Sequence, residues 1–185
     1  MATGARKALL TAEELPALSS EGKRAELVEG ELIVIAPAGG RHGRIANTIA
    51  YLLTGHSLGG RGGTVFAAET GFVLRRDPDT VRAPDVAFIG ADRLGPDGAP
   101  PGYLEMAPDL AVEVVSPNDS AASVQSKVEE WLGAGTRLVW VAYPDTQSVA
   151  VYRSLHEAEV LSDADTLDGA PVLAGFAVPV RNLFA

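Results

Sequence analysis

Glu113 is the first residue that points to chemistry, because it is a carboxylate inside an apolar run. It lies in the segment 110–115, LAVEVV, whose β-branched residues indicate a strand buried on both faces. An isolated buried carboxylate costs free energy unless it is paired or bound to a cation. A Glu on a sheet face that is paired with an Arg is the structural alternative.

Asp85 is the second candidate acid, and strand geometry selects it. Pro-Asp occurs five times in the chain, at Asp79, Asp85, Asp97, Asp109 and Asp145. Asp79, Asp97 and Asp145 fall in turn-like stretches, where an Asp side chain bonds its own backbone. Asp109 begins the strand of Glu113, but four strand residues separate the two by about 13 Å. Adjacent strands lie only about 4.8 Å apart, so Asp85 can reach Glu113 if their strands are neighbours.

Two carboxylates at that spacing favour a divalent metal site. Two unit charges so close repel by about 3–4 kcal/mol at an effective dielectric constant of 20. Bound Mg²⁺ or Mn²⁺ would turn the repulsion into coordination, since hard cations take carboxylate oxygens. We therefore predict that Asp85 and Glu113 are metal ligands. The alternative for Asp85 is a solvated side chain at the start of a strand.

Composition indicates an ordinary globular chain. It has 185 residues, of which 46% are hydrophobic and 21% charged, and it has no cysteine. Disulfides, thiolate zinc sites and cysteine nucleophiles are thereby excluded. We expect an N-terminal extension with a short helix over 1–22 and a single domain over 23–185. With no signal-peptide pattern and no apolar run of about 18 residues, a cytoplasmic protein without a membrane span is expected.

The net charge of −9 counts against broad attraction to nucleic acid, which comes from Lys and Arg neutralising phosphates. It does not exclude a nuclease, because a metal site is itself a cluster of acids whose local sign a bound cation reverses. Arginines also gather locally, at Arg41 and Arg44, at Arg61, and at Arg75, Arg76 and Arg82.

Periodicity and turn signals predict alternating strands and helices. A capping box at Thr11 opens a short helix to about Leu18, and Glu29-Gly30 joins two strands in a tight hairpin. We further predict a helix over about 41–54, strands over 64–74, 81–90 and 110–115, a helix to about Gly133 capped by Asn118, Asp119 or Ser120, and strands over 137–143 and 148–153.

Ordered motifs along the chain resemble the PD-(D/E)XK nuclease superfamily and, within it, the Uma-type family of restriction endonucleases. They cover about residues 25–184 and comprise ELVEGE at 26–31, His42 at the next helix start, APDVAF at 83–88, LAVEVVSP at 110–117, Lys127, and LVWV at 138–141. The resemblance implies an α/β restriction-endonuclease-like core, a mixed central sheet flanked by helices. It also implies metal-dependent hydrolysis of DNA phosphodiesters. A homodimer is expected by analogy, since cutting two strands is simplest with two sites.

The motif lysine is displaced in this chain. Val114 and Val115 occupy the positions after Glu113 where the motif has X-K, and the Uma-type branch supplies the lysine from the next helix. Lys127 is the lysine there, at the edge of an apolar stripe, where it could stabilise the charge that develops on the phosphate. An ordinary solvated helix lysine is the alternative.

Three further residues are candidates for the site. His42 could position water or a phosphate, because its pKa suits proton transfer near neutral pH; a surface or capping His is the alternative. Glu26 could add a third acid, or could face water from the hairpin. Glu69 lies in the strand before the strand of Asp85 and is a weaker candidate for approaching the metal.

The leading hypothesis is therefore a Mg²⁺- or Mn²⁺-dependent DNA endonuclease with Asp85, Glu113, Lys127, His42 and Glu26 in its site. A non-catalytic nuclease-fold protein that binds a partner is the alternative from another class. A metal-dependent hydrolase acting on something other than DNA also stays open. DNA sequence recognition, if present, is expected from the loops near 55–63 and 91–107 or from a dimer partner.

Overall fold

The computed structural model describes residues 9–19, 24–95 and 98–185. Its helices are α1 (Leu15–Ser19), α2 (Gly40–His56), which continues into a π-helical turn over Ser57–Arg61, α3 (Ala121–Gly133) and α4 (Arg181–Phe184). Its strands are β1 (Arg24–Val28), β2 (Glu31–Ile35), β3 (Thr64–Ala67), β4 (Phe72–Arg75), β5 (Thr80–Arg82), β6 (Val86–Ile89), β7 (Leu110–Val114), β8 (Leu138–Tyr143), β9 (Ser148–Ser154), β10 (Glu157–Leu161), β11 (Thr166–Gly169) and β12 (Leu173–Pro179).

The central sheet has six strands in the order β10-β9-β8-β7-β6-β3, and only β7 and β8 run parallel. The crossover between these two strands contains α3, as a parallel connection requires. Helix α2 packs on one face of the sheet through Ile45, Ile49 and Leu53, and α3 covers the other face through Val128 and Trp131. The predicted α/β class, a mixed sheet flanked by helices, is confirmed.

The predicted N-terminal hairpin is also present. Strands β1 and β2 pair antiparallel around Glu29 and Gly30, whose φ angles of 51° and 77° are those of a tight turn. A Cβ on Gly30 would lie 2.7 Å from Cβ of Leu9, so the turn needs glycine for space as well as for φ. The hairpin belongs to a second sheet with the order β2-β1-β5-β4.

The strands predicted over 64–74 and 81–90 are wrong in extent, because each is divided between the two sheets. Strands β3 and β6 pair in the central sheet, whereas β4 and β5 pair in the smaller one. Pro84 lies between β5 and β6 and has no N–H to donate to a neighbouring strand. Glu69 lies in the turn between β3 and β4 and has a φ of 75°. The break places Asp85 where the two sheets diverge.

Helix α1 begins at Leu15, after a turn that starts at Thr11. Half of the predicted capping box forms, because the Thr11 N–H donates to Oε2 of Glu14 at 2.9 Å. Leu15 is buried against Leu27 of the hairpin in a third apolar cluster. The expected boundary at 22/23 lies outside the described residues. No helix within the described part of the chain is long and apolar enough to cross a membrane.

Candidate active site

Asp85 and Glu113 come together at the end of the β6–β7 pair. Val86 is opposite Val112 in the antiparallel register, so the next pair along is Asp85 and Glu113. The Asp85 N–H donates to the carbonyl oxygen of Val112 at 3.0 Å, and Oδ2 of Asp85 accepts from the Val114 N–H at 2.8 Å. The neighbouring strands on which the predicted pair depends are therefore present, and the backbone of β7 fixes the Asp85 carboxylate.

Glu113 points to the face covered by α3, which supplies a donor to each of its oxygens. Nζ of Lys127 lies 2.8 Å from Oε2, and Nε1 of Trp131 donates to Oε1 at 2.9 Å. The two donors are four residues apart on one helix, so they share a helix face. Lys127 thus lies beside the acid.

Burial and charge act in opposite directions on this cluster. Burial raises the pKa of Glu113, the charge of Lys127 lowers it, and the charge of Asp85 raises it, so that the pKa ends above its ordinary value. Burial lowers the pKa of Lys127, but the charge and hydrogen bond of Glu113 outweigh this and keep the ammonium protonated. Lys127 therefore stands as a cation beside Glu113, and its charge also interacts with that of Asp85.

His42 lies in the first turn of α2 and joins the site from the other side of the sheet. Its Nε2 is 3.1 Å from Oδ2 of Asp85. The hydrogen bond to Asp85 raises the pKa of His42 above its ordinary value, although burial opposes it. The charges of Asp85 and Glu113 act in the same direction, so His42 carries its proton nearer to neutral pH than a free imidazole.

Glu26 is buried instead of facing water, and it belongs to a neighbouring ionic cluster. Its Oε2 accepts from Nη1 of Arg82 at 2.7 Å and its Oε1 from the Ala83 N–H at 2.9 Å. The same guanidinium bonds both oxygens of Glu130 on α3. Glu69 lies in an exposed turn and pairs with Arg24 at 3.4 Å.

A cleft of about 600 Å³ unites these groups, lined by Glu26, His42, Arg82, Asp85, Glu113 and Lys127. Within residues 9–19, 24–95 and 98–185, no group of three or more acidic or histidine side chains is placed to hold a metal ion together. Asp85 and Glu113 line the cleft together with three further acids, Glu26, Asp119 and Glu130, of which Glu26 and Glu130 are bonded to Arg82.

The fold is shared with a protein of known structure. The crystal structure of "a putative nuclease" from Anabaena variabilis superposes with a TM-score of 0.81, covering 95% of this chain and 97% of that chain at 24% sequence identity. Among curated proteins, none matches the chain significantly. The Uma2 family model, described as "Putative restriction endonuclease", matches residues 12–181. The chain therefore belongs to the Uma2 family, which confirms the resemblance to the Uma-type family that the sequence motifs carry.

Two residues that bond acids of the cleft, Trp131 and Arg82, were not predicted from the sequence to do so. Trp131 was assigned only to the apolar stripe of α3, although a buried indole N–H usually finds an acceptor and Glu113 was the acid in need of donors. Arg82, bonded to Glu26 and Glu130, gave no local signal, because its partners are 56 and 48 residues away.

Proposed function

We propose that this Uma2 protein is a Mg²⁺- or Mn²⁺-dependent endonuclease of the PD-(D/E)XK type, which hydrolyses DNA phosphodiesters in the cleft. The observation that carries the proposal is the placement of Asp85 opposite Glu113 with the Lys127 ammonium 2.8 Å from Oε2 of Glu113. Two acids and a lysine from three separate elements converge there, which packing alone does not require.

The donor chemistry fits a hard cation. Both proposed ligands are carboxylates, and Mg²⁺ is commonly bound by one or two carboxylates, with water and substrate phosphate completing its shell. Oδ1 of Asp85 accepts no hydrogen bond from any described residue, so one oxygen of the pair is available. A bound cation would polarise the phosphate and lower the pKa of a water held for in-line attack.

The chain's own groups would divide the remaining work. Lys127 keeps its ammonium charged beside Glu113, where it can neutralise charge that develops on the phosphate. His42, held by Asp85, can position a water or a phosphate oxygen at the same end of the sheet and carry a proton. Glu26 acts one step away, because it fixes Arg82 and the Ala83 peptide two residues before Asp85.

The negative charge of DNA supports the proposal that its cleavage by this protein depends on a bound cation. The arginine groups noted in the sequence are largely committed internally: Arg41 to Asp145, Arg75 to Glu29, and Arg82 to Glu26 and Glu130. A chain of net charge −9 with paired arginines is poorly suited to attract phosphates by itself. A divalent cation between the two acids and the phosphate would supply the missing positive charge.

Calorimetric titration with Mn²⁺ and cleavage of supercoiled plasmid DNA test the proposal together. Wild type should bind Mn²⁺ and nick the plasmid, whereas Glu113→Gln and Asp85→Asn should lose both properties. Asp145→Asn is the matched control, because Asp145 is another Pro-Asp acid but lies exposed in a turn. Wild type without Mn²⁺ binding, or Glu113→Gln binding equally well, would contradict the metal site.

One observation favours a second candidate, a non-catalytic nuclease-fold protein that binds a partner. Both oxygens of Glu113 already accept hydrogen bonds within the chain, from Lys127 and Trp131, so the acid is satisfied without a metal. In that case neither Mn²⁺ nor Mg²⁺ should bind, and Glu113→Gln should leave partner binding unchanged. The same titration therefore separates the two candidates.

A further inference from the structure

Trp131 is a buried aromatic residue whose polar atom is committed to the proposed ligand Glu113. The side chain is 1% exposed, and its Nε1 donates to Oε1 of Glu113 at 2.9 Å. Phe72 packs edge-on against the ring, with centroids 6.2 Å apart. The indole is therefore held both by its apolar contacts and by the acid, and it has little freedom to turn.

Trp140 shows that burial alone does not demand such a bond. It is the other tryptophan of the chain, it is equally buried at 1% exposure, and it packs against Phe176 on the opposite face of the sheet. Its Nε1 has no hydrogen-bond partner among the described residues. Among the described residues one buried indole N–H therefore has no protein acceptor, whereas the other donates to Glu113.

We propose that Trp131 is a positioning residue, whose indole N–H fixes the Glu113 carboxylate in the orientation that faces a cation shared with Asp85. The inference rests on the function proposed above. Lys127 holds Oε2 through a flexible side chain, whereas Trp131 holds Oε1 through a rigid ring, so it is Trp131 that fixes the plane of the carboxylate. Partners that orient a ligand in this way typically change metal affinity by about 10–100-fold.

The matched variants Trp131→Phe and Trp140→Phe test the role, because each replaces a fully buried indole by a phenyl ring. In calorimetric titrations with Mg²⁺ alone, Trp131→Phe should raise the Kd by about 10-fold or more, and Trp140→Phe should leave it within about 3-fold. With Mg²⁺ saturating, Trp131→Phe should lower kcat for plasmid nicking with little change in KM, because it disturbs the acid and not the DNA contacts.

A metal-free measurement tests the same hydrogen bond without any activity. The ¹H–¹⁵N spectrum of the wild type should contain one indole signal from each of the two tryptophans, assigned by the loss of one signal in each variant. Glu113→Gln should shift the Trp131 signal and leave that of Trp140 in place. Addition of Mg²⁺ to the wild type should shift the Trp131 signal alone.

The outcomes separate the positioning role of Trp131 from the proposed function on which that role rests. Wild type that binds Mg²⁺, with Trp131→Phe binding it equally well, would overturn the positioning role and leave the proposed function standing. A Trp131 indole signal unmoved by Glu113→Gln would overturn it as well, even if Trp131→Phe failed to fold. Wild type that binds no Mg²⁺ would overturn the proposed function and the role with it.

Discussion

Strand β7 has a buried acid at each end, and the two have opposite surroundings. Asp109 precedes the strand and Glu113 lies near its end; they are 2% and 7% exposed. Oδ2 of Asp109 accepts from the Gly90 N–H at 2.8 Å, and Nη1 of Arg93 lies 3.0 Å from Oδ1. Glu113 faces a second acid, Asp85, across the β6–β7 pair.

The difference is one of charge balance rather than burial. Arg93 and Arg137 both lie within 4 Å of Asp109, so the negative charge at that end is compensated without a ligand. At the other end Lys127 pairs with Glu113 and His42 pairs with Asp85, and the imidazole is a cation only when it is protonated. A buried acid in an apolar strand is therefore not by itself a sign of function; a second acid opposite it is the more informative feature.

The largest expected effect comes from exchanging each acid for its amide. Glu113→Gln should reduce Mg²⁺-dependent plasmid cleavage by more than about 100-fold, since a lost ligand should cost more than the 10–100-fold typical of outer partners. Asp109→Asn should keep cleavage within about 3-fold but lower the free energy of unfolding by about 1–3 kcal/mol, because Arg93 loses its charged partner. Cleavage rates and urea unfolding measure the two effects.

The stability of Glu113→Gln sharpens the contrast. In metal-free buffer this variant should unfold at the same urea concentration as the wild type or a higher one, because burial and Asp85 already disfavour the charge of Glu113. Equal losses of cleavage in both amide variants would remove the distinction between the two ends of the strand.

The cations at the two ends provide the next comparison. Lys127→Met should lower kcat by about 100-fold, as loss of one transition-state stabilising donor does. The Kd for Mg²⁺ should stay the same or decrease, because the ammonium no longer competes for Oε2 of Glu113. Arg137→Met, at a partly exposed position 3.8 Å from Asp109, should change neither quantity by more than about 3-fold.

Unchanged kcat in Lys127→Met would assign the lysine to structure alone. Its bond to Glu113 would then resemble the Arg93–Asp109 pair. The cations at the two ends of β7 would no longer differ in their effect on catalysis.

Local signals in the sequence were enough to predict the elements that hold the site. The Glu29-Gly30 turn, the apolar stripe of α2 and the cap of α3, where Oγ of Ser120 accepts from the Ser123 N–H at 3.0 Å, all follow from short-range chemistry. Selection of Asp85 and Glu113 needed only strand spacing and the cost of a buried charge. Such rules operate within a few residues or between adjacent strands.

The partition of strands into two sheets could not be predicted in the same way. Pro84 marks a possible break, but whether the chain then changes sheets depends on β1 pairing with β5, where Leu27 meets Val81 from far along the chain. The orientation of Glu26 follows from that partition, because Arg82 becomes its partner only when β1 and β5 are neighbours. Long-range pairing of this kind leaves no periodic signal.

The smallest expected effect is a difference in the pH dependence of stability. Asp79 is a buried acid outside the site: burial raises its pKa, but hydrogen bonds from the Ala12 N–H and Arg76 outweigh this and lower it. A lowered pKa in the folded state stabilises the protein above the unfolded pKa, and that stability is lost as the pH falls through the folded pKa. For Glu113 the pKa in the folded state is raised above its value in the unfolded state. Between these two pKa values the native state binds more protons than the unfolded state, so the free energy of unfolding decreases as the pH rises through this range.

Urea unfolding in metal-free buffer across a pH series should therefore separate the two acids by sign. The stability advantage of wild type over Asp79→Asn should be present near neutral pH and shrink under acid conditions, because the protonated acid no longer differs in charge from the amide. Glu113→Gln should instead gain on the wild type as the pH rises above the ordinary carboxyl range. If both differences ran in the same direction, the charge of Glu113 would be as well compensated as that of Asp79, and the acid opposite it would not be what distinguishes the site.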